Sequence, residues 1–239
     1  MTVLKVATCQ FPVSADAGQN AGWITRQMRE AARQGARVAH FPEGALSGYA
    51  GTDFATFTGY DWDALDRAAD RVRACAGELG IWVVSGSAHR FSDVSAPHNS
   101  LQVLSDVGEV IERYDKRFLG GTDPDHYSPG SHFSTWTIDG IRCGALICYD
   151  YRFPELYRHY AMLHVAGVLR ALGRDHDRQA GAQRCRCPDL SGRYGARPVR
   201  LHEAMAAAGH RRRPAQRRTG ARRSLAGTAA HSAVISREQ

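Results

Sequence analysis

Three residues far apart along the chain carry side chains suited to one reaction: Glu43, Lys116 and Cys148. A cysteine becomes a good nucleophile when a base removes its proton or a cation stabilises the thiolate. A glutamate in a half-dry cleft can take that proton, pass it to a leaving amine and later activate water. A lysine can hold the oxyanion that forms when sulfur attacks a carbonyl. The three together suffice to hydrolyse a carbon–nitrogen bond through a thioester, without a histidine. Each also has a plain structural reading. A cysteine in an apolar run is more often inert packing. A glutamate after a strand can cap a loop or pair with an arginine, and a lysine there is usually solvated. Composition adds weight to the lysine. The chain has only Lys5 and Lys116 against 29 arginines, and a compact ammonium does what a planar fork does not.

The elements needed to bring these groups together can be read locally. Ile141, Cys143, Ala145, Leu146 and Ile147 predict a buried strand closing on Cys148. Residues 150–154 make a turn, and Pro154 suits a first helical turn. Leu156, Tyr157, Tyr160, Ala161 and Leu163 follow at helical spacing. A thiol between a strand end and a helix start lies near free backbone N–H groups, which favour a thiolate and can bind an oxyanion. Glu43 follows a short strand expected at residues 38–41, and Lys116 follows one expected at 110–114. Strands that end on one edge would collect all three residues in a cleft.

The remaining pattern fills in a layered α/β domain. Residues 4–9 predict a first strand. Asn20 is expected to cap a helix carrying Ile24, Met28, Ala31 and Ala32, ended by Gly35. Asp63 is expected to cap a second helix with Leu65, Ala68, Val72, Ala76 and Leu79, closed by Gly80. Residues 81–85 and 101–104 read as strands, and residues 135–138 and 141–148 as a hairpin across Asp139-Gly140. The composition, 43 % hydrophobic and 23 % charged, is ordinary for a globular protein. No apolar run approaches the ~18–20 residues of a membrane helix. Six cysteines and an N-terminus without a signal-peptide core point to reduced thiols in a cytoplasm.

Three segments resemble the nitrilase, or carbon–nitrogen hydrolase, superfamily over residues 1 to about 165. They are Phe41-Pro42-Glu43-Gly44-Ala45-Leu46-Ser47-Gly48-Tyr49, Tyr114-Asp115-Lys116-Arg117-Phe118-Leu119, and Gly144-Ala145-Leu146-Ile147-Cys148-Tyr149-Asp150-Tyr151-Arg152-Phe153-Pro154-Glu155. Their order and spacing match as well as their content. The resemblance implies an αββα sandwich, with Glu43 as general base, Lys116 as oxyanion stabiliser and Cys148 as nucleophile. It implies the backbone N–H of Tyr149 as a second oxyanion donor. It also implies an acidic residue after the lysine that orients the triad, for which Asp123 and Asp125 are the candidates. Cys148-Tyr149-Asp150 is similar to the amidase and carbamoyl-amidase side of the family, whereas strict nitrilases usually carry Trp-Glu there. The expected substrate is a small amide, and the expected cofactor and metal requirement is none. The rival readings are a strict nitrilase and a truncated, inactive paralogue.

The family normally continues for about a hundred residues past its cysteine, and this chain departs from it. The net charge of +7 belongs to the end of the chain alone. Residues 1–169 hold 15 Lys and Arg against 19 Asp and Glu; residues 170–239 hold 16 Arg against 5. That final stretch has seven Leu, Ile, Val or Phe in 70 residues, the range of segments that do not fold alone. The expected division is therefore a truncated hydrolase domain at 1–165 and an Arg/Ala/Gly-rich tail at 166–239. The clusters Arg211-Arg212-Arg213, Arg217-Arg218 and Arg222-Arg223 fit a basic nucleic-acid arm, but one nearly without aromatics to stack on bases. A solvated extension without a role is a second reading. The preferred one is a frameshift near residues 163–170, because GC-rich DNA in a wrong frame gives this bias. Cys185-Arg186-Cys187 is too short for a zinc site, and residues 201–208 read as a brief helix. A sandwich missing its last strands is expected to be poorly soluble, weakly active and short of the dimer surface that the resemblance implies.

Overall fold

The helices begin where an acidic side chain can accept the first amide protons. Asp16 caps α1 (Ala17–Arg33) by accepting from the Gln19 N–H at 2.9 Å, and Asp61 caps α2 (Trp62–Leu79) by accepting from Ala64 N–H at 2.8 Å. Both starts lie upstream of the expected caps. Asn20 is buried inside α1 instead, where its side-chain amide donates to the carbonyls of Ser14 (2.7 Å) and Leu46 (3.0 Å). It thereby ties the loop that follows the second strand to the helix. Gly80 closes α2 in the left-handed region, as its position predicts. The computed structural model describes residues 3–91, 96–172 and 200–205.

Among the described residues, nine strands form two sheets. The first runs β5-β4-β3-β2-β1-β9, from Val110–Asp115 through His98–Leu104, Trp82–His89, Val38–His40 and Val3–Thr8 to Arg200–Met205. β1, β2 and β3 are parallel, and β4, β5 and β9 join antiparallel. The second sheet is β6 (Thr135–Ile138), β7 (Ile141–Ile147) and β8 (Gly167–Ala171). The β6–β7 hairpin turns at Asp139 (φ 50°) and Gly140 (φ 81°), the two positive φ values that a tight hairpin requires.

Side-chain alternation sorts the strands into layers. Ala7, Ala39 and Val83 face a core filled by Ile24, Met28, Leu65 and Val72 of α1 and α2. Val6, Val38, Val84 and Val103 face the opposite way, onto Ile141, Cys143, Ala145 and Trp136 of the second sheet. The third helix, α3 (Pro154–Met162), covers the outer face of that sheet. Its Tyr160 ring packs where Gly144 has no Cβ, and its hydroxyl donates to the Ala145 carbonyl at 2.7 Å. Helices, sheet, sheet and helix thus make the expected α/β sandwich. No helix among the described residues is long and apolar enough to cross a membrane.

Two expectations for the end of the chain are corrected. Strand pairing does not stop at residue 165, because β7, α3 and β8 form a parallel crossover unit that extends the second sheet. Residues 200–205 form strand β9 rather than a helix, pairing from Val3↔Met205 to Thr8↔Arg200. The open edge of β1 supplies a full ladder of backbone partners there, and tertiary pairing overrides a weak helical propensity. The Cys185–Cys187 pair, the arginine clusters of 211–223 and the region held to be out of frame or unfolded lie outside the described residues, β8 and β9 excepted.

Candidate active site

Glu43 sits in the turn that leaves β2, pressed onto β3 by a close backbone approach. A Cβ on Gly86 would lie 2.3 Å from the Pro42 carbonyl oxygen and 2.8 Å from Glu43 Cα, so only glycine permits this packing. The Leu46 N–H donates to the Gly86 carbonyl at 2.9 Å and fixes the turn in place. Lys116 is the residue after β5. Its backbone N–H donates to the Asn99 carbonyl at 2.8 Å, and its carbonyl accepts from Gly130 N–H at 2.7 Å. The side chains then meet. Lys116 Nζ donates to Glu43 Oε1 and to Asp123 Oδ2, both at 2.7 Å, with the lysine only 1 % exposed. Burial pulls the ammonium toward neutrality, but the Glu43 charge and the bonds from both carboxylates outweigh it. The Lys116 pKa therefore stands above its ordinary value, and the group stays charged.

Of the two aspartates expected near the lysine, the structure brings one. Asp123 opens a short 3-10 turn (Asp123–Asp125), is buried, and accepts from Lys116, from the Gly120 N–H at 3.2 Å and from the Tyr49 hydroxyl. Asp125 closes the same turn on the exposed side. The two differ because one 3-10 turn carries their side chains to opposite sides of the loop, which spacing alone does not reveal.

Cys148 follows β7 directly and begins a second 3-10 turn (Cys148–Arg152). Its φ of 42° lies in the left-handed region, a conformation that costs a non-glycine residue about 1 kcal/mol or more and persists only where the surroundings enforce it. Asp150 enforces it. This wholly buried carboxylate accepts from the Ile147 N–H at 3.2 Å, the Tyr114 hydroxyl at 2.9 Å and the Phe118 N–H at 2.8 Å. Tyr114 and Phe118 lie two residues on either side of Lys116, so one side chain clamps the cysteine turn to the lysine segment. Burial raises the Asp150 pKa above the usual carboxylate value, although the three donors and the Lys116 charge oppose it.

Tyr149 is held against the same cluster. Its ring lies where a Cβ on Gly120 would approach within 2.8 Å of Tyr149 Cγ, and Gly120 is the residue whose N–H binds Asp123. The Tyr149 N–H belongs to the first turn of the 3-10 helix, whose amide groups the helix itself leaves without acceptors.

The family model for carbon–nitrogen hydrolases matches residues 5–194. The chain belongs to the carbon–nitrogen hydrolase family. The match continues past residue 165, where the resemblance of the three segments ended. The chain is 30 % identical over 170 residues to omega-amidase NIT2 of Homo sapiens, covering 67 % of this chain and 60 % of that protein. It is 33 % identical over 115 residues to 2-oxoglutaramate amidase of Bacillus subtilis (strain 168), covering 43 % of each. It thus spans about 60 % of the length of the NIT2 relatives it matches. In fold it is similar to the C145A mutant of an amidase of the nitrilase superfamily from Nesterenkonia AN1. That likeness has a TM-score of 0.66 at 23 % identity, over 73 % of this chain and 68 % of that one.

In this carbon–nitrogen hydrolase fold, sequence reasoning missed three contributors. Asn99 meets both charged partners, since its side-chain amide donates to Glu43 Oε1 at 2.7 Å and its carbonyl receives the Lys116 N–H. The available signal was weak, since Asn99 stands beside His98 and Ser100 just ahead of the strand expected at 101–104. Tyr49 and Asp150 stood within the segments that carry the resemblance, but nothing in their spacing shows what they bind.

Proposed function

We infer that the chain is a thiol amidohydrolase that converts a small amide to an acid and ammonia or an amine through a cysteine thioester. Glu43 takes the Cys148 proton as sulfur attacks the carbonyl carbon. Lys116 and the Tyr149 N–H hold the oxyanion of the tetrahedral intermediate. Collapse of that intermediate breaks the carbon–nitrogen bond, and Glu43 gives its proton to the departing nitrogen. Water activated by Glu43 then attacks the thioester, releasing the acid and restoring the thiol. Thiol, carboxylate and ammonium supply every proton and charge the steps need, so the reading calls for neither metal nor organic cofactor.

The observation that carries the reading is the buried lysine shared by Glu43 and Asp123, docked through Asp150 onto a cysteine in a left-handed turn. A structural ion pair needs no neighbouring strained thiol. Similarity to an omega-amidase and a 2-oxoglutaramate amidase favours amides over nitriles as substrates. The test is release of ammonia from matched primary amides and nitriles by the full chain and by Cys148→Ala. Turnover of amides that the variant lacks is the expected result. Near-parental rates in Cys148→Ala refute the assignment, and turnover of nitriles alone replaces it with the strict nitrilase.

A further inference from the structure

Asp123 is one methylene shorter than glutamate, yet it reaches the lysine from a loop. Its two oxygens are divided. Oδ2 accepts from Lys116 Nζ and the Gly120 N–H, while Oδ1 accepts from the Tyr49 hydroxyl. The phenol is itself fixed from several sides. The Tyr49 N–H donates to Asp53 Oδ2 at 2.9 Å, and its ring leans on Tyr127, centroids 5.5 Å apart. The Tyr127 hydroxyl accepts from Ala50 N–H at 3.0 Å. Phe57 packs edge-on against Tyr127 and stacks on Trp62, which opens α2. The loop is pinned at its start as well. Gly48 has a φ of 76°, and a Cβ there would come within 2.7 Å of the Ser14 carbonyl oxygen. An aromatic plug thus carries one hydroxyl group to one carboxylate oxygen.

We propose that Tyr49 is a positioning residue for the reaction: its O–H holds the Asp123 carboxylate so that the other oxygen keeps Lys116 in line with Glu43. This rests on the amidohydrolase reading above. Tyr49 remains a donor throughout the working range, because burial, then the charge of Glu43, push its ionisation far above that of a free phenol. A donor to a carboxylate favours the charged form, and losing it favours the neutral form. Once Asp123 is neutral, the ammonium loses one of its two anionic partners and turns wholly onto Glu43, which then makes a poorer base. The phenol therefore governs the pH below which the cluster fails, acting through Asp123.

The test compares kcat/KM against pH for the parent, Tyr49→Phe and Tyr60→Phe. Tyr60 belongs to the same aromatic group but donates to the Ser47 carbonyl, so it controls for loss of a buried hydroxyl. Tyr49→Phe is expected to raise the acid limb by roughly one pH unit and lower plateau kcat roughly tenfold, with KM within about twofold. Tyr60→Phe should leave the limb in place. Incorporating 3,5-difluorotyrosine at position 49 keeps the ring and strengthens the donor, so the limb should move the opposite way, even if Tyr49→Phe does not fold. The pH dependence of Cys148 alkylation by iodoacetamide, read by peptide mass, should show the same two shifts without turnover. A limb that stays fixed in both Tyr49 variants, or moves equally in Tyr60→Phe, overturns the positioning role. If amide turnover needs Cys148 while the limb stays fixed, only that role falls. If Cys148→Ala is as active as the parent, the amidohydrolase reading fails and takes the inference with it.

Discussion

Replacing Asp150 by alanine tests whether one carboxylate really docks the cysteine turn. The side chain has no exposed surface and accepts from the Ile147 and Phe118 amides and the Tyr114 hydroxyl. Alanine leaves two buried donors and one part-buried donor, the Phe118 N–H, without that acceptor, at about 1–3 kcal/mol each when orphaned. Partial relaxation brings the expected loss to about 3–6 kcal/mol, a large share of the ~5–15 kcal/mol that holds a domain together. Asparagine keeps the shape and one acceptor oxygen, so its cost should be about 1–2 kcal/mol near neutral pH. The pH dependence separates charge from shape. Because burial raises the Asp150 pKa, the folded state keeps this proton to higher pH than the unfolded chain. The group's stabilising contribution is thus complete below the ordinary carboxylate value and falls as pH rises through the folded one. Asparagine cannot titrate, so the deficit of Asp150→Asn should be widest in acid and narrow toward neutrality. Urea unfolding followed by fluorescence of the buried Trp136 measures each value. An alanine variant within about 1 kcal/mol of the parent, or a flat pH profile for the asparagine difference, would refute the clamp.

Three further substitutions probe the other ties. Gly86→Ala puts a methyl group 2.3 Å from the Pro42 carbonyl oxygen and must displace the Glu43 turn; about 2–4 kcal/mol of stability and most amide turnover should go with it, read by thermal unfolding and ammonia release. Asp123→Asn should lower kcat at least tenfold, while Asp125→Asn on the exposed side of the same turn leaves it within about twofold. Equal effects of the two would undo the distinction between them.

Much of this arrangement was legible from residue types. The strands ending before Glu43, Lys116 and Cys148 follow from short β-rich stretches, and the hairpin follows from Asp139-Gly140. What could not be read is what depends on the third dimension. Asp16 and Asp61 cap helices in place of Asn20 and Asp63, because several acidic or amide residues near each helix start could cap it and only the folded geometry selects one. Asp123 rather than Asp125 reaches the lysine, because a 3-10 turn separates side chains that sequence leaves equivalent. β9 replaces an expected helix, because the partner that decides its conformation lies almost two hundred residues away on β1. Asn99 escaped notice because the strand read from the sequence starts at residue 101, while β4 begins at His98 and so carries Asn99 to the lysine and glutamate it serves.

The ties that assemble the charged cluster come from a limited part of the chain. Gly86 sets the Glu43 turn, Asn99 joins it to Lys116, Tyr49 and Gly120 hold Asp123, and Asp150 brings in the cysteine. All of these residues lie between positions 43 and 150. The described residues that follow α3 contribute differently: β8 extends the sheet that carries Cys148, and β9 covers the open edge of β1. An altered sequence after residue 170 would therefore strike sheet edges before it struck the pairing of acid and ammonium. Under the amidohydrolase reading, such damage would appear first as lost stability, while Cys148 kept its reactivity toward a small alkylating reagent.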